Sequence, residues 1–268
     1  MPTVDERLRH VQLKVERAEQ HIAALSLELD AFLQSGPYRV EATHDAKTRK
    51  LVYFVAAAEP VPDSVALIAG DAIQNLMSAL DHLAYQIVCS DTRGKPPDLS
   101  GIYFPIADDA AKYEANKRTQ LKGASQETFQ RIDAVKPYRG GKDPLWALKR
   151  LNNIEKHRLL LAVGSRAAGL NLGQLMAPHI AGKMPPEAVA AFESMNIFLN
   201  PADKGFPLRP GFELYIGAVD EKPNPKQEFR FDVALSEPGI IEGPLLQILN
   251  GFTSVVSEVV TALTPCLR

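Results

Sequence analysis

The sequence predicts an α+β fold: a helical bundle with a long N-terminal helix and a buried central helix, plus two β-hairpins packed at its side. Three observations carry this. Val4, Leu8, Val11, Val15, Ala18, Ile22, Leu25, Leu29 and Phe32 alternate spacings of four and three. That is a heptad seam, and a seam of this length requires a second long helix beside it, in the same chain or in another copy. Between Glu59 and Arg93 there is no Lys, Arg or Glu. A helix lying on a surface carries a charged outer face, so a helix over 63–90 is expected to meet protein on both sides. Finally, two pairs of short alternating segments bracket polar turns, as hairpins do.

The elements follow in order. Thr3 and Glu6 form a capping box at the start of the first helix, and Gly36-Pro37 stops it near residue 34. Tyr38–Thr43 and Leu51–Val55 read as one hairpin. Pro60, Pro62 and Asp63 open the central helix. Residues 91–107, with Gly94, Pro96, Pro97, Gly101 and Pro105, read as loop, and short helices follow near 108–117 and 125–135. Asp143-Pro144 is an N-cap followed by the favoured first-turn proline, starting a helix expected to run to about 163. A small helix is expected at 186–194. Phe212–Ala218 and Glu228–Leu235 read as the second hairpin, the latter alternating Phe229, Phe231, Val233 and Leu235 with Arg230, Asp232 and Ala234. Gly243-Pro244 opens a last apolar helix. The interleaving predicts a single domain over 1–268, with its bundle core at about 3–34, 63–90, 143–163 and 243–264.

Composition bounds the function. A charged fraction of 23% and an apolar fraction of 46% are ordinary for a globular chain. The net charge of −2 argues against a protein wrapped in nucleic acid or lying on an anionic membrane. The start lacks an apolar leader segment, and the apolar helices carry polar residues in their middles. A cytoplasmic location without a membrane span is therefore the expectation. Cys89 and Cys266 have no ligand-like spacing, and no cofactor is implied. Charge is nevertheless uneven: residues 112–158 hold twelve Lys and Arg against five acids, with Tyr113, Tyr138 and Trp146 interleaved. Such a surface could present cations and stacking rings to RNA.

Two groups of residues could carry chemistry. Asp71, Asn75, Ser78 and His82 recur at helical spacing on one face of the central helix. Such short polar groups favour caps and turns over helix interiors, so they mark either an interhelical network or the floor of a binding site. In the helix after Asp143, Lys149, Arg150, Asn153, Lys156, His157 and Arg158 form the second group. Its His157 and the central His82 could serve as base and acid, Arg150 as the electrostatic group and Asn153 as the orienting one. Asp71, Asn75, Ser78, Lys149, Lys156 and Arg158 would hold a ligand. A metal site from Asp81, His82, Glu155 and His157 is conceivable, but the Glu-x-x-His spacing of carboxylate-bridged bundles occurs in none of the expected helices, so no metal ligands are assigned. Phosphate-binding glycine loops, HExxH and GxSxG are also missing.

The stretches Gly70–Ala84 (GDAIQNLMSALDHLA) and Leu151–Arg158 (LNNIEKHR), with Leu145-Trp146 and Phe104-Pro105-Ile106, resemble a bacterial family of unassigned function. That resemblance implies no activity. The pair Arg150 and His157, with six residues between them, is also similar to the mark of HEPN-type helical domains, many of which are metal-independent ribonucleases. Leu151 stands where that group usually has Asn, Asp or His. The preferred reading is a non-catalytic module that binds a partner protein or a small anionic ligand. A HEPN-like ribonuclease of the defence or toxin type is the alternative, and a metal-dependent enzyme the third. The seam and the apolar last helix together predict a homo-oligomer, a dimer.

Overall fold

The computed structural model describes residues 3–95, 101–157, 161–201 and 205–267, the His157 side chain excepted. Among them are eight α-helices and seven strands in two sheets, an α+β fold with a long N-terminal helix. The chain groups into two compact units, each assembled from separated stretches.

The first unit takes residues 1–27, 63–162 and 237–268. It holds most of α1 (Val4–Gln34), then α2 (Asp63–Asp91), α3 (Ala110–Gln120), α4 (Gln126–Val135) and α5 (Asp143–His157). A short β-strand, Ile241–Pro244, leads into the last helix, Leu245–Leu263. The capping box closes as expected: the Glu6 carboxylate accepts from the Thr3 N–H at 2.7 Å, and Thr3 Oγ1 accepts from the Glu6 N–H at 3.2 Å. The seam residues Leu8, Val11, Ala18, Ile22 and Leu25 are buried, so the seam finds its partners within the chain. Helix α2 buries fifteen residues, from Val65 to Cys89. It packs against α5 and the last helix.

At Gly70, Glu155 of α5 lies close against the backbone of α2. A Cβ there would lie 2.9 Å from Glu155 Cγ, so only hydrogen fits without a shift. Both sides of α2 meet protein, but the polar side, along α1, does so only in part. Asp71, Gln74 and His82 are exposed, and Asn75, Ser78, Asp81 and Tyr85 are half-buried. Such short polar side chains can border solvent without needing long charged ones. The last helix is long and apolar enough, by length and composition, to cross a membrane; here Leu249, Phe252, Val256 and Val259 make it core.

The second unit takes residues 28–62 and 163–236. Strands β1 (Tyr38–His44) and β2 (Lys50–Ala58) form the expected antiparallel hairpin, and Arg49 takes the left-handed conformation at its turn. The other elements are β3 (Val163–Asn171), α6 (Leu172–Ile180), α7 (Pro186–Glu193), β4 (Phe198–Leu199), β5 (Glu213–Val219) and β6 (Phe229–Glu237). With those labels fixed, Ile241–Pro244 is β7 and Leu245–Leu263 is α8.

Two expectations fail in this unit. The second hairpin does not form, because β5 pairs with β2 in one sheet while β6 pairs with β3 in the other. Each strand finds a better partner elsewhere: the rings of Tyr53 and Tyr215 meet across β2 and β5 at 6.3 Å, and β6 pairs with β3 from Val163 to Leu170. The helix expected over 143–163 is described to His157, and Leu161 onward is not helical, with Val163 opening β3. The run Leu159–Val163 is wholly apolar, so its period does not distinguish helix from strand.

Leu25 and Leu27 give a direct test of the α1 assignment. Leu25 is 0% exposed and Leu27 73% exposed, two positions apart on one helix. Leu25→Ala is expected to lower unfolding stability by about 2–5 kcal/mol. Leu27→Ala should stay within about 0.5 kcal/mol of wild type. Urea melts that rank the two the other way would contradict the assignment.

Candidate functional site

The polar edge of α2 meets α1, and the pairing is antiparallel. Arg7 Nη1 reaches Gln86 Oε1 at 3.4 Å, the His10 and His82 rings lie 6.5 Å apart, and Lys14 Nζ donates to Asn75 Oδ1 at 3.3 Å. Residue numbers rise on one helix as they fall on the other. Arg7, His10, Lys14 and Arg17 are spaced three, four and three, which puts them on one stripe of α1. Two depressions share His82. One, of about 480 Å³, is lined by His10, Leu13, Lys14, Arg17, Asn75 and His82. The other, of about 350 Å³, is lined by Ser78, Asp81, His82, Tyr85 and Ile102.

The charges of this groove are unusual. No carboxylate among the described residues lies within ion-pair distance of Arg7, His10, Lys14 or Arg17. Arg7 is only 4% exposed, its Nε has no partner, and its one contact is an amide oxygen. Partial burial, then the charges of Lys14 and His10, hold the His82 imidazole below its ordinary range, which favours the neutral ring. At the other end, burial raises the Asp81 carboxyl, opposed by the Phe104 N–H that it accepts at 3.0 Å and by Lys156 and Lys149.

The predicted site residues separate. His82, Asn75 and Ser78 line the groove, while the Asp71 side chain is exposed and its carbonyl accepts from Asn75 Nδ2 at 2.8 Å. Lys149 turns inward and donates to the Ile106 carbonyl, and burial lowers its amine. With Asp81 on Phe104 it fastens the 104–106 segment. Arg150, Asn153 and Lys156 are exposed on α5. The His157 side chain and Arg158 lie outside the described residues, as does any pairing of His157 with His82.

Among the described residues, four of the twelve cations of the basic segment 112–158 stand in ion pairs. Lys117 pairs with Glu114 at 2.8 Å and Asp133 at 2.7 Å, Lys112 with Asp108, Arg131 with Glu127 and Lys142 with Glu258. Arg139 lies over the Trp146 ring and Arg118 over Phe129. Among the described residues, no group of three or more His, Cys, Asp or Glu is placed to hold a metal ion. Sequence reasoning missed Arg7, His10, Lys14 and Arg17, although their three-four-three spacing was readable beside the apolar seam. Comparison with known proteins finds no matching family model, no matching curated protein and no matching solved structure.

The Asp81 environment makes a prediction about pH. Its raised folded value means that the stability tied to the neutral acid is complete below the unfolded carboxyl value, about 4, and is lost as pH rises through the folded value. Asp81→Asn keeps an oxygen for the Phe104 N–H and cannot ionise. The variant should melt above wild type near neutral pH and lose that advantage at about pH 4. Melting curves whose difference is flat with pH would contradict this.

Proposed function

We propose that the protein is a non-catalytic binding module whose ligand is a small anion held in the α1–α2 groove. One observation supports this above the others: four cationic or protonatable groups on one helix stripe without a carboxylate partner among the described residues. Of the four, His10, Lys14 and Arg17 line the larger depression, where an anion can reach them. The groove also suits a small ligand, since depressions of about 350 and 480 Å³ fall within the usual range for such sites. Asn75 adds a directional amide, and His82 a ring that can accept or donate.

The reading is tested by titrating inorganic phosphate, sulfate and pyrophosphate calorimetrically at low ionic strength. Binding is expected to weaken as sodium chloride is raised, because the groove borders solvent. Lys14→Ala and Arg17→Ala should each weaken it by about ten- to a hundredfold, the usual worth of a charged hydrogen bond. Lys112→Ala, whose cation is already paired with Asp108, should leave it unchanged. No binding of any of the three anions, or equal binding by all the variants, would overturn the proposal.

A further inference from the structure

The two depressions that share His82 differ in character, and the difference bears on the ligand. The larger holds His10, Lys14, Arg17 and Asn75, all able to donate to phosphate oxygens. The smaller holds a carboxyl, a hydroxyl, an aromatic ring and a buried aliphatic side chain: Asp81, Ser78, Tyr85 and Ile102. Tyr85 lines this depression and is half-buried, so it can offer a ligand the face of its ring. Asp81 accepts the Phe104 N–H through Oδ1, which leaves Oδ2 for a ligand hydroxyl. Negative charge at this end repels a phosphate, and positive charge at the other end attracts one. The groove therefore orients a molecule that is anionic at one end and neutral, hydroxylated and flat at the other.

Resting on the anion-binding reading, we infer that the ligand is a nucleoside phosphate: the phosphate lies among His10, Lys14 and Arg17, the sugar hydroxyls reach Ser78 and Asp81, and the base lies against Tyr85 and Ile102. His82 stands at the junction, within reach of the ester end of the phosphate. Stacking on one aromatic ring contributes about 1–3 kcal/mol per base by alanine substitution, that is, roughly five- to 150-fold in affinity. One ring and one phosphate cluster suit a single nucleotide rather than a chain of them.

The test compares adenosine 5′-monophosphate, ribose 5-phosphate, adenosine, inorganic phosphate and a single-stranded oligoadenylate, by calorimetry on the full chain at one salt concentration. The mononucleotide is expected to bind at least about tenfold more tightly than ribose 5-phosphate or phosphate. Tyr85→Ala should bring it down to the ribose 5-phosphate level and leave phosphate binding untouched, while Tyr85→Phe, which keeps the ring, retains wild-type affinity. Lys14→Ala should weaken the mononucleotide and phosphate alike and leave adenosine unaffected. Circular dichroism on each variant separates loss of binding from loss of fold. Equal affinity for mononucleotide and phosphate, with Tyr85→Ala silent, overturns the nucleoside assignment and leaves the simple anion site standing. Tighter binding of the oligoadenylate than of the mononucleotide overturns it in favour of a nucleic-acid chain. Failure of every phosphate compound to bind overturns both proposals.

Discussion

The structure depends first on a helix without long charged side chains, and most of that helix must be covered by protein. Helix α2 runs 29 residues without Lys, Arg or Glu and buries fifteen of them. Its apolar side needs the stripes of α5 and α8, and Gly70 lets α5 come close enough to supply one. Its polar side needs something else. Asn75, His82 and Gln86 would each cost about 1–3 kcal/mol if buried without a partner, and α1 meets them with Lys14, His10 and Arg7. The cationic stripe of α1 is thus first a packing solution, and its excess of positive charge follows from it. The amides of Asn75 and Gln86 satisfy hydrogen bonds without neutralising charge.

The same helix anchors the loop after it. Asp81 holds the Phe104 N–H, Lys149 of α5 holds the Ile106 carbonyl, and the side chains of Phe104 and Ile106 are buried. Gly70–Ala84, Phe104–Ile106 and Leu145 onward, far apart in sequence, therefore meet through two charged groups spent on backbone. The roles of Lys149 and Asn153 divide accordingly: Lys149 fastens a loop, and Asn153 faces solvent beside the buried Asn152. Tyr113 and Lys117 of α3 both reach Asp133 of α4, a part-buried network that joins α3 to α4.

Local signals in the sequence were reliable where one physical cause dominated. The Thr3–Glu6 box, the seam from Leu8 to Leu29 and the span of α2 were legible because capping and helical period are set within a few residues. The β-sheet pairing was not, since β5 and β6 each alternate properly and nothing local says that their partners are β2 and β3. Strand β3 was hidden by its composition: Gly164, Ala167, Ala168 and Gly169 give no alternation, and Gly164 and Gly169 are small because Phe206 and Phe198 lie against them. His82, Asn75 and Ser78 were legible as a polar face, but the helix that faces them was not. Counting charges drew attention to 112–158, where acids three and four residues away pair with Lys112, Lys117 and Arg131.

Net charge misleads in the same way at larger scale. A balance of −2 excludes a broadly basic surface, yet it says little about a groove two helices wide, because charges beyond about 8–10 Å are largely screened at physiological salt. Helix α1 sorts its charges by side. Arg7, His10, Lys14 and Arg17 lie along α2, while Glu16 and Glu19 line a separate depression with Ser257, Val260 and Thr261 of α8. Three and a half residues per turn place those acids away from the cationic stripe, so they contribute to the total and little to the field at His82. Burial first, and then the charges of Lys14 and His10, hold the His82 imidazole low. An anion in the groove would reverse the sign of that field, so the same positive charge that disfavours a proton on His82 is what would draw the ligand to it.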